Sequence, residues 1–156
     1  MSRITAGRIA RAALAVLAVT AAPAVAENYT TADTPKSVEE AVADLRAEIE
    51  SNGGTVFATV DHAANAETVD MDLDPATVVI FGNPRLGTPP MQDDIIAGLY
   101  LPLRVLVYEG RDGGTLLAYE NPEDMFDETS VPYDADYIDV MRGALERIVN
   151  AAAATD

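Results

Sequence analysis

The sequence predicts an α+β domain: a compact strand-helix-four-strand-helix chain with a mainly antiparallel sheet and helices on one face. Three observations carry this expectation. A capped amphipathic helix follows a short Thr-rich segment, four apolar or β-branched runs come next with Gly- and Pro-rich breaks between them, and a second amphipathic helix closes the chain.

Taken in order, Tyr29 to Ala32 is short and Thr-rich enough for an edge strand. Ser37 followed by Glu40 reads as a capping box, Val38, Val42, Leu45 and Ile49 recur at helical spacing, and Asn52-Gly53-Gly54 supplies the stop. Thr55 to Val60 has the composition of a buried strand that ends at Asp61 and His62, and Ala63 to Met71 suits a short helix before the Asp74-Pro75 turn. Thr77 to Phe81, stopped by Gly82-Asn83-Pro84, is expected to be the central strand.

Past Pro89 and Pro90, the residues Met91, Ile95, Ile96 and Leu99 suit a short amphipathic helix begun at Thr88. Leu103 to Tyr108 and Thr115 to Tyr119 flank Gly110-Arg111-Asp112-Gly113-Gly114, which predicts a hairpin. Ile138, Met141, Leu145, Ile148 and Ala152 share one face of a closing helix begun at Asp134. Strand parity sets Val78, Ile80, Leu106, Leu117 and Tyr119 opposite Val79, Phe81, Val105, Val107 and Leu116. Both sheet faces therefore read as apolar, a pattern that favours a homodimer or a lined cavity.

The first residues combine Arg3, Arg8 and Arg11 with an apolar run from Ala12 to Ala22 and a small-x-small site at Ala24-Val25-Ala26. That is the pattern of a secretory signal peptide over residues 1–26. Its run of about 11 residues falls short of the roughly 20 that cross a bilayer, and an uncleaved anchor is the alternative. Cleavage would leave residues 27–156, beginning at Glu27, as one domain in the periplasm with no membrane attachment.

The formal charge is −16, from 26 acidic and 10 basic residues, and losing the three signal arginines would take it to about −19. A surface of that sign repels phosphates and excludes nucleic acid and anionic membranes as partners. Cysteine is absent. That removes thiol nucleophiles, cysteine-ligated iron–sulfur clusters and attached haem, and leaves oxygen ligands, five methionines and one histidine.

Three segments taken together, Val60-Asp61-His62-Ala63-Ala64-Asn65-Ala66, Phe81-Gly82-Asn83-Pro84 and Leu101-Pro102-Leu103-Arg104-Val105-Leu106-Val107-Tyr108, resemble in order and spacing the domain of unknown function 302 family. The resemblance covers about residues 37–149. It implies a fold of one strand, a helix, four strands and a helix, and a homodimer, and it brings no established reaction. It places the family's Asp-His pair on Asp61-His62 and its Gly-Asn-Pro turn on Gly82-Asn83-Pro84.

His62 follows a buried strand and stands beside Asp61, a position where an imidazole can act as base, metal ligand or anion binder. Asp61 has an equally natural role as the N-cap of the next helix. Asn83 either shapes a turn or lends its amide to a ligand, near His62 if their strands are neighbours. Met71 and Met91 could join His62 in a soft copper site, but methionine at amphipathic spacing is more often core filler, so neither metal nor cofactor is expected. The Asp70 to Asp74 run lacks the glycine and distal glutamate of a calcium loop. No Gly-x-Ser-x-Gly elbow is present, and the glycines from Gly110 to Gly114 carry no lysine for a phosphate.

The reading is a periplasmic homodimeric binding or accessory module that holds a small, partly apolar ligand near Asp61, His62 and Asn83. The alternatives are an enzyme with His62 as general base, and a structural or interaction protein without a ligand. An enzyme would normally need a second positioned acid–base group, which the sequence does not single out.

Overall fold

The computed structural model describes residues 28–155; the expected signal peptide and its junction at Ala26 and Glu27 lie outside the described residues. Five strands form one sheet in the order β1-β5-β4-β3-β2, and every neighbouring pair is antiparallel. The strands are β1 (Tyr29–Thr34), β2 (Thr55–Asp61), β3 (Ala76–Gly82), β4 (Leu103–Glu109) and β5 (Thr115–Glu120). The α+β fold predicted from the sequence is therefore the observed one. β1, the short Thr-rich edge strand, lies farthest from β2.

Helix α1 (Val38–Ser51) begins with the expected capping box: the Ser37 hydroxyl accepts from the Glu40 N–H at 3.2 Å, and the Glu40 carboxylate accepts from the Ser37 N–H at 2.9 Å. These bonds to Ser37 hold the Glu40 carboxyl below the usual glutamate range. At the other end Gly53 takes φ 76°, a left-handed conformation that a side chain would strain. Helix α5 (Asp136–Ala153) packs against α1, and both cover one face of the sheet.

The core lies between those helices and the sheet. Leu45 and Ile49 from α1 meet Met141, Leu145, Ile148 and Val149 from α5 over Val79, Val105, Val107 and Leu117. Each such side chain contributes about 1.5–3 kcal/mol on full burial, which makes this layer the main source of stability.

The register corrects the expected parity of β5. Leu106 faces Ala118 and Val107 faces Leu117, so Leu117 and Tyr119 turn into the core and Leu116 turns out. Parity across two strands is set by the Glu109–Thr115 register of the hairpin, which apolarity alone does not reveal. The outer face then carries Val60, Val78, Ile80, Leu106, Tyr108 and Leu116, all half-buried. It remains strongly apolar, with one exposed pair, Arg104 and Glu120, 3.6 Å apart.

Two helix starts also differ. α3 runs Pro84–Asp93 instead of beginning at Thr88, because Asn83 caps it and Pro84 fits a first helical position that needs no N–H donor. It does not continue to Leu99: Asp94 is extended and caps a separate 3-10 turn, Ile95–Leu99, in which only Ala97 is buried while Ile95 and Leu99 are exposed. α5 begins at Asp136, not Asp134, with Asp136 and Asp139 in its first turn, where the helix dipole favours acids. A short helix, α2 (His62–Glu67), follows β2, and α4 (Pro122–Met125) follows β5.

Candidate functional site

An apolar pocket of about 450 Å³ opens between α5, α3 and one end of the sheet. Its size and lining match those of small-molecule sites. Helix α5 presents two stripes to it at helical spacing: Met141, Leu145 and Ile148 form the floor, and Val140, Ala144 and Arg147 lie along the rim. From α3 come Leu86, Gly87 and Met91, and from the segment before β4 come Leu101 and Pro102, joined by a cis peptide bond. Phe57, Phe81 and Gly82 close the sheet side.

Local chain geometry builds this wall. The ladder between β2 and β3 skips a residue between Val56 and Ala58, and the residue left over is Phe57, which stays 56% exposed at the mouth. A bulge of this kind re-aims one side chain out of the strand's alternation. Asn83 then joins two turns: its Oδ1 accepts from the Arg85 N–H at 2.9 Å and its Nδ2 donates to the Gly53 carbonyl at 3.1 Å. The α1–β2 turn and the start of α3 are thereby held side by side, and both border the pocket.

The far end of α3 is tied down as well. The Tyr137 hydroxyl donates to Asp93 at 2.6 Å, and Asp94 accepts from the Ser130 and Ile96 N–H groups at 2.8 and 2.9 Å. Burial, with Asp93 beside it, pushes the Tyr137 phenol up to about 12. The Ser130 and Ile96 amides hold the Asp94 carboxyl below its ordinary range.

The sequence-predicted residues do not meet in this pocket. β2 and β3 are neighbours, as the argument for a shared site required, but they are antiparallel, so Gly82 pairs with Thr55 while Asp61 pairs with Thr77. Asn83 therefore sits at one end of the sheet, and Asp61 and His62 sit a full strand length away at the other. Asp61 accepts the Ala64 N–H at 2.9 Å as the N-cap of α2. His62 is exposed and borders a shallow depression on the outer sheet face, with Tyr29, Val78, Arg104, Leu106 and Glu120.

The three residues of the copper reading are separated too. Met91 lines the apolar pocket, Met71 is 64% exposed, and His62 borders the outer face. Among the described residues no group of three or more His, Asp or Glu side chains is placed to hold a metal.

Phe57, Ala144 and Arg147 are lining residues that sequence reasoning passed over. The stripe Val140, Ala144, Arg147 is readable in retrospect from its spacing alone, one step round the helix from the core stripe. The bulge at Phe57 leaves no mark in the sequence.

The family model described as "Domain of unknown function DUF302" matches residues 29–153. Among solved structures, an uncharacterized conserved DUF302 protein from Bacillus stearothermophilus superposes with a TM-score of 0.75, covering 81% of this chain and 99% of that one. At 16% identity the likeness is one of fold. Among curated proteins, the fluoride-specific ion channel FluC 1 of Brucella suis is 39% identical over 92 residues, 59% of this chain and 36% of that one. FluC 2 of Brucella melitensis is 39% identical over 92 residues, 34% of its length. The chain thus spans about a third of the length of these curated relatives.

Proposed function

The chain belongs to the DUF302 family, a domain of unknown function, and from that premise we propose that it is an exported, periplasmic, homodimeric module that holds a small, partly apolar ligand in the pocket between α3 and α5. The observation that carries this reading is the pocket of about 450 Å³, whose walls are fixed by hydrogen bonds through Asn83, Tyr137 and Asp94 rather than left to side-chain collapse. In this reading Asn83 shapes the site and does not grip the ligand, since its amide already serves two turns. Asp61 and His62 lie outside it.

The homodimer forms through the outer sheet face. The half-buried row from Val60 to Leu116 is the kind of contiguous apolar surface that a soluble chain covers with a partner. A chain of formal charge −16 repels its own copy, so the association rests on apolar burial and strengthens as salt screens the acids.

A second reading is favoured by the likeness to the Brucella channels: an accessory domain beside a membrane protein. No helix among the described residues is long and apolar enough to cross a membrane. Fluoride itself suits the apolar pocket poorly, because a small, strongly hydrated anion gains nothing from a hydrocarbon lining.

Native mass spectrometry of protein released from the periplasm tests the main reading. The expected species is a dimer of residues 27–156 carrying a small bound mass. A monomer that is free of any bound molecule, and yields none on extraction, would overturn it.

A further inference from the structure

The pocket lining contains one ionisable side chain, Arg147, and no carboxylate, in a chain that carries 26 acidic residues. Two other cations of the helical layer are paired with carboxylates. Arg142, five positions earlier on α5, meets Glu123 at 2.8 Å, Asp139 on its own helix and Glu146 at 3.8 Å; Lys36 meets Asp44 at 2.6 Å. Arg147 has a carboxylate neighbour in sequence, Glu146, but that side chain turns to Arg142, and the Arg147 guanidinium makes no ion pair or hydrogen bond with any described residue. Arg85 and Arg111 likewise meet no carboxylate among the described residues, but neither lines the pocket, so Arg147 is the unpaired guanidinium placed at its rim.

A second observation concerns Gly143. It sits in the interior of an 18-residue helix, where glycine costs roughly 0.5–1 kcal/mol relative to alanine. A Cβ added there would meet nothing within 4 Å except Arg147 Nη1, at 3.7 Å. The exposed Arg147 side chain therefore runs back along the helix past Gly143, on the stripe that carries Val140 and Ala144 at the pocket rim.

We infer that the pocket takes a small amphiphilic anion, a monocarboxylate with a hydrocarbon or aromatic body, whose apolar part enters between α3 and α5 and whose carboxylate is held by Arg147. The inference rests on the ligand-binding reading above and names its chemical class. An apolar lining selects the body, and a planar guanidinium at the rim matches a carboxylate with two parallel hydrogen bonds. The acidic surroundings select against further negative charge, so a monoanion is favoured over a polyphosphate or a dicarboxylate.

Calorimetric titration with decanoate, decanol and decylamine, on the wild type and on Arg147→Gln and Ala144→Phe, decides the matter. The wild type is expected to bind decanoate about tenfold or more tightly than decanol, and decylamine weakest, because a charge-assisted pair at the rim favours the anion. Arg147→Gln keeps the decanol affinity and loses the preference for decanoate. Ala144→Phe fills the rim and abolishes both, with a melting temperature check that the variant is folded. Equal binding of decanoate and decanol by the wild type, unchanged in Arg147→Gln, would overturn the anion assignment while leaving the pocket reading intact. Binding of none of the three probes would overturn both.

Discussion

The ring of Phe57 lies across the backbone of Gly82 so closely that a methyl group added to Gly82 would sit 3.2 Å from Phe57 Cε2. Few side-chain carbons come so near a neighbour, so one of the two must give. The backbone at Gly82 is not left-handed, and Phe57 is free on its outer side, so the ring is the part that shifts. Gly82→Ala should change stability by no more than about 0.5 kcal/mol. It should weaken binding of an apolar pocket ligand by about fivefold, the equivalent of roughly 1 kcal/mol. Paired thermal melts and titrations check both; a large loss of melting temperature with unchanged affinity would mean that the contact is structural only.

The hydrogen bond from Tyr137 to Asp93 gives a pH signature. The phenol is raised from about 10 in the unfolded chain to about 12 in the fold, so folding favours its protonated form. The resulting stability is fully present below pH 10 and is lost as pH rises towards 12. Tyr119, raised chiefly by burial, adds a contribution of the same sign. Tyr137→Phe should lower stability at pH 7 by about 1 kcal/mol and flatten part of the decline between pH 10 and 12, as measured by denaturant melts across that range. An unchanged alkaline profile would show that the bond to Asp93 is not formed in solution.

The fold was legible because its strongest signals are local. The Ser37–Glu40 capping box, the stripe from Ile138 to Ala152 and the Gly-rich hairpin each involve residues a few positions apart, and all three appear where the sequence put them. What was not legible depended on pairing between distant residues. The direction of β3 against β2 decides that Asn83 and His62 are at opposite ends, and the Leu106–Ala118 register decides which residues of β5 face the core. The bulge at Phe57 is likewise a property of two strands together. The helix expected through Ile95 and Leu99 failed for a subtler reason: Asp94 caps a new turn, and its own extended backbone ends α3.

The outer sheet face yields a test of the homodimer. Leu106 lies at its centre, paired with Val78 on one side and Ala118 on the other. Leu106→Asp would place a carboxylate in an apolar contact and add to the repulsion between acidic copies, so light scattering should report a monomer at micromolar concentration where the wild type is a dimer. Raising salt should strengthen the wild-type dimer. A monomeric wild type at both low and high salt would remove the dimer from the proposal.

Asp61 and His62 give the last test, because their adjacent positions do different work. Asp61 accepts the Ala64 N–H and so satisfies one of the donors that the start of α2 leaves open. Asp61→Ala should cost about 0.5–2 kcal/mol through the lost cap. His62 is exposed at the first position of that helix, where its ring buries little surface, so His62→Ala should change stability by no more than about 0.5 kcal/mol. Neither change should alter the affinity of a ligand in the α3–α5 pocket, since both residues lie at the opposite end of β2. The informative comparison is therefore three-way: Asp61→Ala melts early and binds normally, His62→Ala melts and binds normally, and Ala144→Phe melts normally and does not bind. If His62→Ala alone abolished a copurifying ligand, the site would have to move to the outer sheet face, beside Arg104 and Glu120, and the pocket between α3 and α5 would be left without a role.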